Sequence, residues 1–364
     1  MRIVAGVDCH KASHTVVFLT AVGVPVECMV IPTTDAGFEA ALAAGDRLGC
    51  EEWGLEGAGC YGFGLAVYAA ARGLTVLEVP GLLTKRHRRQ SSRRGKSDET
   101  DAIAIAEVVL REGPRLSRFQ PRATQRAMRL RYDQRDRYVR ARTAAANRVR
   151  MAAVLLGVMT LPRSLTSARA IRTLLETART FRVEVTGNPA ALALVDDMID
   201  AAEDVERLNA KIRATERDLQ ALVRDVAEKL VALRGVSVVT AAGLIGHAGA
   251  MTNYRNGAAF AAKCGAAPVP CSSGRRVAVR LNTGGDRQLN RLLHVIAMAQ
   301  VLAADHPGRA YYDRKRAEGK AHPAAMRCLK RQLATVVYYR LRQVQQRLDS
   351  EGAADATAAL PDHT

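Results

Sequence analysis

The sequence predicts an α/β domain followed by α-helical regions, an α/β plus α chain, and three observations carry that prediction. Short β-rich runs alternate with helical patterns only in the first third. An apolar residue then recurs at every seventh position from Met198 to Leu233, and the last third carries helical patterns around a glycine-containing turn. The 364 residues correspond to two or three domains at about 150 residues each. The expected division is an α/β domain over 1–115, a helical coiled-coil insert over 116–232, a mostly α-helical domain over 233–348 and a disordered tail over 349–364.

Arg2–Val7 and Thr15–Thr20 are β-rich runs around a polar turn from Asp8 to His14, and Val26–Pro32 is a third, so the chain opens as an antiparallel meander. Phe38–Leu48 has apolar residues at three- and four-residue spacing and reads as a helix. Glu52–Leu55 is a short strand, Tyr61–Arg72 a helix and Leu74–Val79 a buried strand. Three meander strands followed by a βαβ alternation match the ribonuclease-H-like order, although actin-like ATPases open in a similar way.

Ser97–Arg111 reads as a helix with Ser97 as its N-cap, and about Pro121 to Leu156 as an arginine-rich helix. Asn188 and Pro189 form a cap and first-turn pair. After them Met198, Val205, Ile212, Leu219, Val226 and Leu233 repeat every seven residues, with Ala201, Leu208, Thr215 and Leu222 offset by three. That spacing implies a coiled coil, either between protomers or folded back on the arginine-rich helix; a long amphipathic bundle helix gives the same pattern. Leu233 to Ala242 resembles a helix-hairpin-helix with Ser237 in place of its second glycine, and such a turn can present helix amides to a phosphate.

Lys plus Arg number 54 against 36 Asp plus Glu, a formal charge of +18. Such an excess favours a polyanion, because each neutralised phosphate releases condensed counterions. The charge is concentrated. Lys85, Arg86, Arg88, Arg89, Arg93, Arg94 and Lys96 fall in one stretch without an acid, and ten arginines, Arg129 and Arg137 among them, stand between Arg122 and Arg150 against Asp133 and Asp136. A segment as charged as Lys85–Lys96 is not expected to pack without an anion. Tyr132 and Tyr138, set among the arginines, either stack on unpaired bases or pack half-buried.

The longest apolar stretches, Met151–Leu161 and Val295–Ala304, fall short of the roughly 18 residues of a membrane span. Asp8 interrupts the first apolar run and no cleavage site follows, so no membrane partner or secretory signal is expected. The expected location is the cytoplasm, at the nucleoid. Seven scattered cysteines without a CxxC spacing argue for reduced thiols rather than bridges or a zinc site.

Four acids stand where chemistry is expected. Asp8 ends the first strand, Glu56 ends a later one, and Asp98 and Asp101 share one face of a helix start. In a ribonuclease-H-like sheet those strand ends adjoin, and carboxylates gathered there repel unless cations sit among them. Hard oxygen ligands suit Mg²⁺, commonly as a pair about 3.5–4 Å apart flanking a scissile phosphate. Singly, each acid also has a structural use: Asp98, Glu99 and Asp101 complement a helix dipole, and Asp8 can cap a turn. His10 and Lys11 either touch a phosphate or finish that turn. A second constellation, Gly265 to Arg276, places Ser272 and Ser273 before Gly274, Arg275 and Arg276, offering a hydroxyl beside fixed positive charge. As a bare pattern it is equally a solvated loop.

The set Gly6-Val7-Asp8-Cys9-His10-Lys11, Leu55-Glu56-Gly57, Lys96-Ser97-Asp98-Glu99-Thr100-Asp101-Ala102 and Pro270-Cys271-Ser272-Ser273-Gly274 resembles the DEDD insertion-sequence transposases of the IS110 family over nearly the whole chain. These are recombinases guided by a bridge RNA. The resemblance implies an N-terminal RuvC-like domain with Asp8, Glu56, Asp98 and Asp101 as ligands of two Mg²⁺, and a helical transposase domain with Ser273 as nucleophile, Ser272 being the alternative. It also implies donor and target DNA as substrates, a bridge noncoding RNA whose loops pair with both, and a homodimer that assembles to a homotetramer around a composite site. The basic segments, with Arg275 and Arg276, would hold nucleic-acid backbones, and the heptad helix is a candidate protomer contact.

Other readings use the same residues. A Holliday-junction nuclease would keep the four acids and let water attack. A non-catalytic RNA- or DNA-binding protein would use the acids as caps. An actin-like ATPase is disfavoured by Cys9-His10-Lys11 where its glycine-rich phosphate loop should stand.

Overall fold

A computed structural model of the chain describes residues 2–90, 97–120, 122–157, 161–162, 164–271 and 279–358. The chain divides into two compact units, Met1–Arg122 and Ala123–Thr364.

In the first unit β1 (Ile3–Cys9), β2 (Ser13–Thr20) and β3 (Pro25–Pro32) form the expected meander, followed by α1 (Asp35–Leu48), β4 (Cys50–Glu56), α2 (Phe63–Ala71), β5 (Thr75–Val79), α3 (Gly81–Gln90), α4 (Asp98–Glu112) and β6 (Ser117–Arg118). The sheet order is β3-β2-β1-β4-β5-β6. β1, β4 and β5 run parallel, while β2 is antiparallel to β1. This is the ribonuclease-H-like arrangement that the element order predicts. The polar turn is shorter than expected, since Asp8, Cys9 and His14 pair in the β1–β2 ladder and Ser13 pairs with Pro32 of β3.

Side chains alternate across each strand, so the sheet has two differently covered faces. Ile3, Ala5, Val7, Trp53 and Leu55 pack with residues of α1 and α2. Val4, Val17, Leu19, Leu77 and Val79 pack with Ala102, Ile105, Ala106 and Val109 of α4. The second face also carries Gly6 and Gly54, which are opposite each other in the β1–β4 register.

The second unit contains α5 (Ala123–Leu156), α6 (Ala168–Glu184), α7 (Pro189–Val223), α8 (Glu228–Val231), α9 (Val238–Ala248), α10 (Gly257–Lys263), β7 (Val269–Pro270), β8 (Val279–Arg280), α11 (Arg287–Val301), α12 (Pro307–Ala317) and α13 (His322–Ala358). α13 continues past Ser350 into the stretch whose composition predicts a disordered tail. Among the described residues no helix is long and apolar enough to cross a membrane.

The heptad helix is shorter than its repeat. Met198, Ala201, Val205, Leu208, Ile212, Thr215 and Leu219 are all buried, but the helix ends at Val223, so Val226 and Leu233 lie beyond it. After Thr215 the buried positions are Leu219 and Val223 rather than Leu222 alone, a drift out of the seven-residue register. Its apolar face is occupied within the chain: Ala145, Val149, Leu174, Leu175, Met198 and Val205 form one core across α5, α6 and α7. The stripe thus folds back on the arginine-rich helix, one of the two arrangements that its spacing allows. α6, which no expectation from the sequence covered, supplies the third wall.

The pairing of α5 with α7 also explains much of the arginine run. Arg131 meets Asp218 at 3.4 Å and Arg135 meets Glu216 at 2.7 Å. Arg142 Nη1 donates to Asn209 Oδ1 at 3.1 Å, and Arg148 pairs with Asp197. Partner numbers fall as arginine numbers rise, so the two helices are antiparallel.

Candidate metal centre

β1 and β4 lie side by side with Asp8 opposite Glu56 at their ends. Each acid stands two residues beyond a glycine, Gly6 or Gly54, and residues two apart on a strand share a face. Both carboxylates therefore belong to the face that α4 covers. The glycines allow the helix to come close: a Cβ on Gly6 would stand 2.1 Å from the Ala102 carbonyl oxygen, and one on Gly54 2.3 Å from Val109 Cγ2.

Asp98 and Asp101 lie in the first turn of α4, one turn before the residues that touch the sheet, Ala102 and Ile105. Ser97 caps that turn. Its hydroxyl accepts from the Thr100 amide at 3.2 Å, while the Thr100 hydroxyl accepts from the Ser97 amide at 3.0 Å. This reciprocal capping box fixes the turn that presents both aspartates.

The acids feel one another. Burial pushes the Asp8 carboxyl above the ordinary carboxylate value; the His10 imidazole pulls it down, and the carboxylates of Asp101, Asp98 and Glu56 push it up again. His10 stands between two of them, with Nε2 at 3.8 Å from Asp8 Oδ2 and Nδ1 at 3.8 Å from Asp98 Oδ2. One donor atom each from Asp8, His10 and Asp98 lies within 4.8 Å of the others. A largely buried carboxylate with an imidazole and a second carboxylate within reach is a donor set that fits a divalent cation, while Glu56 and Asp101 act on Asp8 through their charge.

Glu56 has its own support. Gly57 turns the chain with φ 82° directly after it, and a Cβ on Gly81 would stand 2.5 Å from Glu56 Oε1. The first residue of α3 thus rests against the carboxylate. Gly6, Gly54 and Gly81 are site residues that the sequence expectations did not include; a repeated glycine two positions before an acid was the available signal for the first two.

The other expected site residues are distributed as follows. The stretch from Lys85 begins helical, within α3. Lys85 and Arg86 are exposed there, while Thr84 and His87 are buried. Arg88 and Arg89 also belong to α3, and Arg93, Arg94 and Lys96 lie outside the described residues. In the second unit Arg129 and Arg137 are exposed, Arg129 at 3.9 Å from Asp133. Tyr132 is a packing residue, buried with its ring against Gly243. Tyr138 is partly buried, with Lys211 Nζ 5.5 Å from the ring centroid.

Ser272, Ser273, Arg275 and Arg276 lie outside the described residues. Their flanks are described: β7 and β8 pair antiparallel, Val269 with Arg280 and Pro270 with Val279. Asn282 Nδ2 donates to the Ala262 carbonyl at 2.9 Å and Asn290 Nδ2 to the Cys264 carbonyl at 2.7 Å. Lys330 Nζ donates to Asn290 Oδ1, which ties α13 to the same framework.

The chain is similar to known proteins. A family model for the DEDD transposase of IS110 matches residues 5–159, which include all four acids. A second, described as transposase IS116/IS110/IS902 family, matches residues 227–313, which include Ser272 and Ser273. The chain belongs to this transposase family.

Members of the family align with it at several lengths. The insertion element IS116 44.8 kDa protein of Streptomyces clavuligerus is 26% identical over 94% of this chain and 95% of that protein. The IS900 42 kDa protein of Mycobacterium paratuberculosis is 28% identical over 93% and 95%. The IS110 43.6 kDa protein of Streptomyces coelicolor is 35% identical, but the match spans 39% of this chain and 35% of that protein. Among solved structures, Thermus thermophilus RuvC in complex with a Holliday junction substrate overlaps 33% of this transposase-family chain and 100% of that chain, at 15% identity and a TM-score of 0.26.

Proposed function

We propose that this chain cuts and rejoins DNA strands as the transposase of an insertion sequence, using a divalent-cation site on Asp8, Glu56, Asp98 and Asp101 and a covalent phosphoserine step at Ser273. The observation that carries the proposal is the pairing of Asp8 with Glu56 at adjoining strand ends, on the face covered by the helix that bears Asp98 and Asp101. Family membership supports it independently.

Asp8 and Glu56, fixed by strands, form the rigid side of the site, and Asp98 and Asp101 close it from the capped helix. Mg²⁺ held there, as a pair, supplies Lewis acidity at a phosphodiester and offsets charge on its oxygens. The Ser273 hydroxyl attacks phosphorus. The Oγ–P bond forms, the bond from phosphorus to the sugar oxygen breaks, and the hydroxyl proton passes through solvent to that oxygen. The phosphoserine conserves the bond, so rejoining needs no ATP.

Sequence choice belongs to a bridge noncoding RNA that pairs with donor and target DNA, while the protein holds backbones. Exposed Lys85 and Arg86 on α3 suit that task, as do Arg88, Arg89, Arg93, Arg94, Lys96, Arg129, Arg137, Arg275 and Arg276 by charge. The assembly proposed is a homodimer pairing to a homotetramer.

All four acids belong to one compact unit, which favours a second reading, a nuclease in which water attacks. The deciding experiment sequences RNA retained by the purified protein, then incubates the complex with matching DNA and Mg²⁺. A denaturing gel should show a protein–DNA adduct that Ser273→Ala abolishes and Ser272→Ala retains. Cleavage without any adduct, undiminished in Ser273→Ala, would establish the nuclease instead.

A further inference from the structure

We propose that His10 is a nitrogen ligand of the cation in this site, and that it tilts the site toward Mn²⁺ relative to Mg²⁺. The inference rests on the divalent-cation reading above and adds to it a ligand outside the four acids.

His10 is the first residue after β1, and its amide donates to the Ser13 carbonyl at 3.0 Å, closing the β1–β2 turn. The turn holds the residue at the acid end of the sheet. Its ring lies between Asp8 and Asp98, 3.8 Å from an oxygen of each. That spacing is too long for a hydrogen bond, whose heavy atoms stand roughly 2.7–3.2 Å apart. It fits donors sharing an ion: with bonds of about 2.0–2.2 Å, two ligands on one cation lie at most about 4.4 Å apart. The Asp8 side chain is 15% exposed and the His10 side chain 50% exposed, so the imidazole can adjust while the strand carboxylate stays in place.

Only one ring nitrogen can bind a given ion. The other is left facing the second carboxylate at 3.8 Å, from which a small turn of the exposed ring would let that carboxylate fix its tautomer and orientation. Nitrogen donors discriminate between cations. Mg²⁺ takes oxygen ligands almost exclusively and dehydrates reluctantly, whereas Mn²⁺, though it favours oxygen and stands lowest in the first-row affinity order, also takes a nitrogen donor. A site of carboxylates alone would not separate the two in this way.

The test uses the full-length chain as wild type, His10→Ala, His10→Gln and Asp8→Asn, with Mn²⁺ and Mg²⁺ as probes. Binding is read by calorimetry and by the electron paramagnetic resonance of free Mn²⁺, and the ligand by pulsed-resonance nitrogen modulation on bound Mn²⁺. Wild type should show the nitrogen signal. His10→Ala should lose it and about tenfold in Mn²⁺ affinity, with Mg²⁺ affinity changed less than about twofold, and His10→Gln should lose the imidazole signal likewise, while Asp8→Asn should weaken both cations.

Equal losses for both cations, or none, with no nitrogen signal in wild type, would make His10 a counter-charge and overturn the assignment while leaving the acid site intact. Absence of either cation from wild type would defeat the acid site itself and this inference with it.

Discussion

Gly6 of β1 lies directly beneath Ala102 of α4: a side-chain carbon on the glycine would stand 2.1 Å from the Ala102 carbonyl oxygen and 2.5 Å from the Ala106 amide nitrogen. Both are backbone atoms, so no rotamer change relieves the overlap and the helix must move. Gly6→Ala should destabilise the first unit by about 2–3 kcal/mol in urea titration, and cation affinity should fall as Asp98 and Asp101 move with the helix. Gly54→Ala meets a side-chain methyl instead, at 2.3 Å, and should cost less, about 1 kcal/mol. Equal costs would show that α4 does not depend on its close approach to Gly6.

Asp8 is crowded by the carboxylates of Asp101, Asp98 and Glu56. If its carboxylate serves cation binding rather than folding, Asp8→Asn should raise the metal-free melting temperature by about 2–4 °C. It should also remove the stabilisation that added Mg²⁺ gives wild type. A lower melting temperature in the variant would identify a structural acid.

Ser97→Ala removes half of the capping box. The expected cost is about 1 kcal/mol, confined to the first turn of α4. Amide exchange at residues 98–101 should accelerate without change in the sheet, and cation affinity should weaken. Unaltered exchange there would mean that packing alone holds the aspartates.

Asp136 gives the second unit a pH dependence. Its side chain is 9% exposed and lies 2.7 Å from Arg291, which also donates to the Tyr132 hydroxyl at 2.8 Å. Burial raises its pKa, but hydrogen bonding and charge from Arg291 and Arg140 outweigh that and hold it below the ordinary 3.8. A depressed acid stabilises fully above its unfolded value and loses that contribution as pH falls through the folded one. Asp136→Ala should therefore cost about 2 kcal/mol at neutral pH, with the gap to wild type narrowing below pH 3.8. A gap independent of pH would assign the loss to packing.

Lys85 and Arg86 are exposed on α3. Replacing both by Ala should weaken nucleic-acid binding and reduce the log–log salt slope by up to about 0.9 for each duplex phosphate that is no longer neutralised. An unchanged slope would show a solvated surface.

The order of β1 to β5 with α1, α2 and α4, the Ser97 cap and the buried positions of α7 up to Leu219 were legible in the sequence, because each depends on residues within a few positions of one another; α3, which packs Thr84 and His87 although the run from Lys85 is not expected to pack, and β6 were not. The acids were legible for the same reason: Asp8 and Glu56 announce themselves as strand ends, and Asp98 and Asp101 as one face of a helix start. The glycine floor beneath α4 was not, since a glycine carries no record of which backbone approaches it. Nor was the fate of the arginine run, because Arg131 and Arg135 are neutralised by Asp218 and Glu216, acids too far along the chain for local pattern to pair them. The heptad of α7 specified an apolar stripe but not its partner; α5 and α6 cover it. Local chemistry thus determined the elements and the candidate acids, whereas tertiary structure decided which charges remain free and how closely α4 approaches the sheet, because burial and Coulomb attraction act between surfaces that only folding brings together.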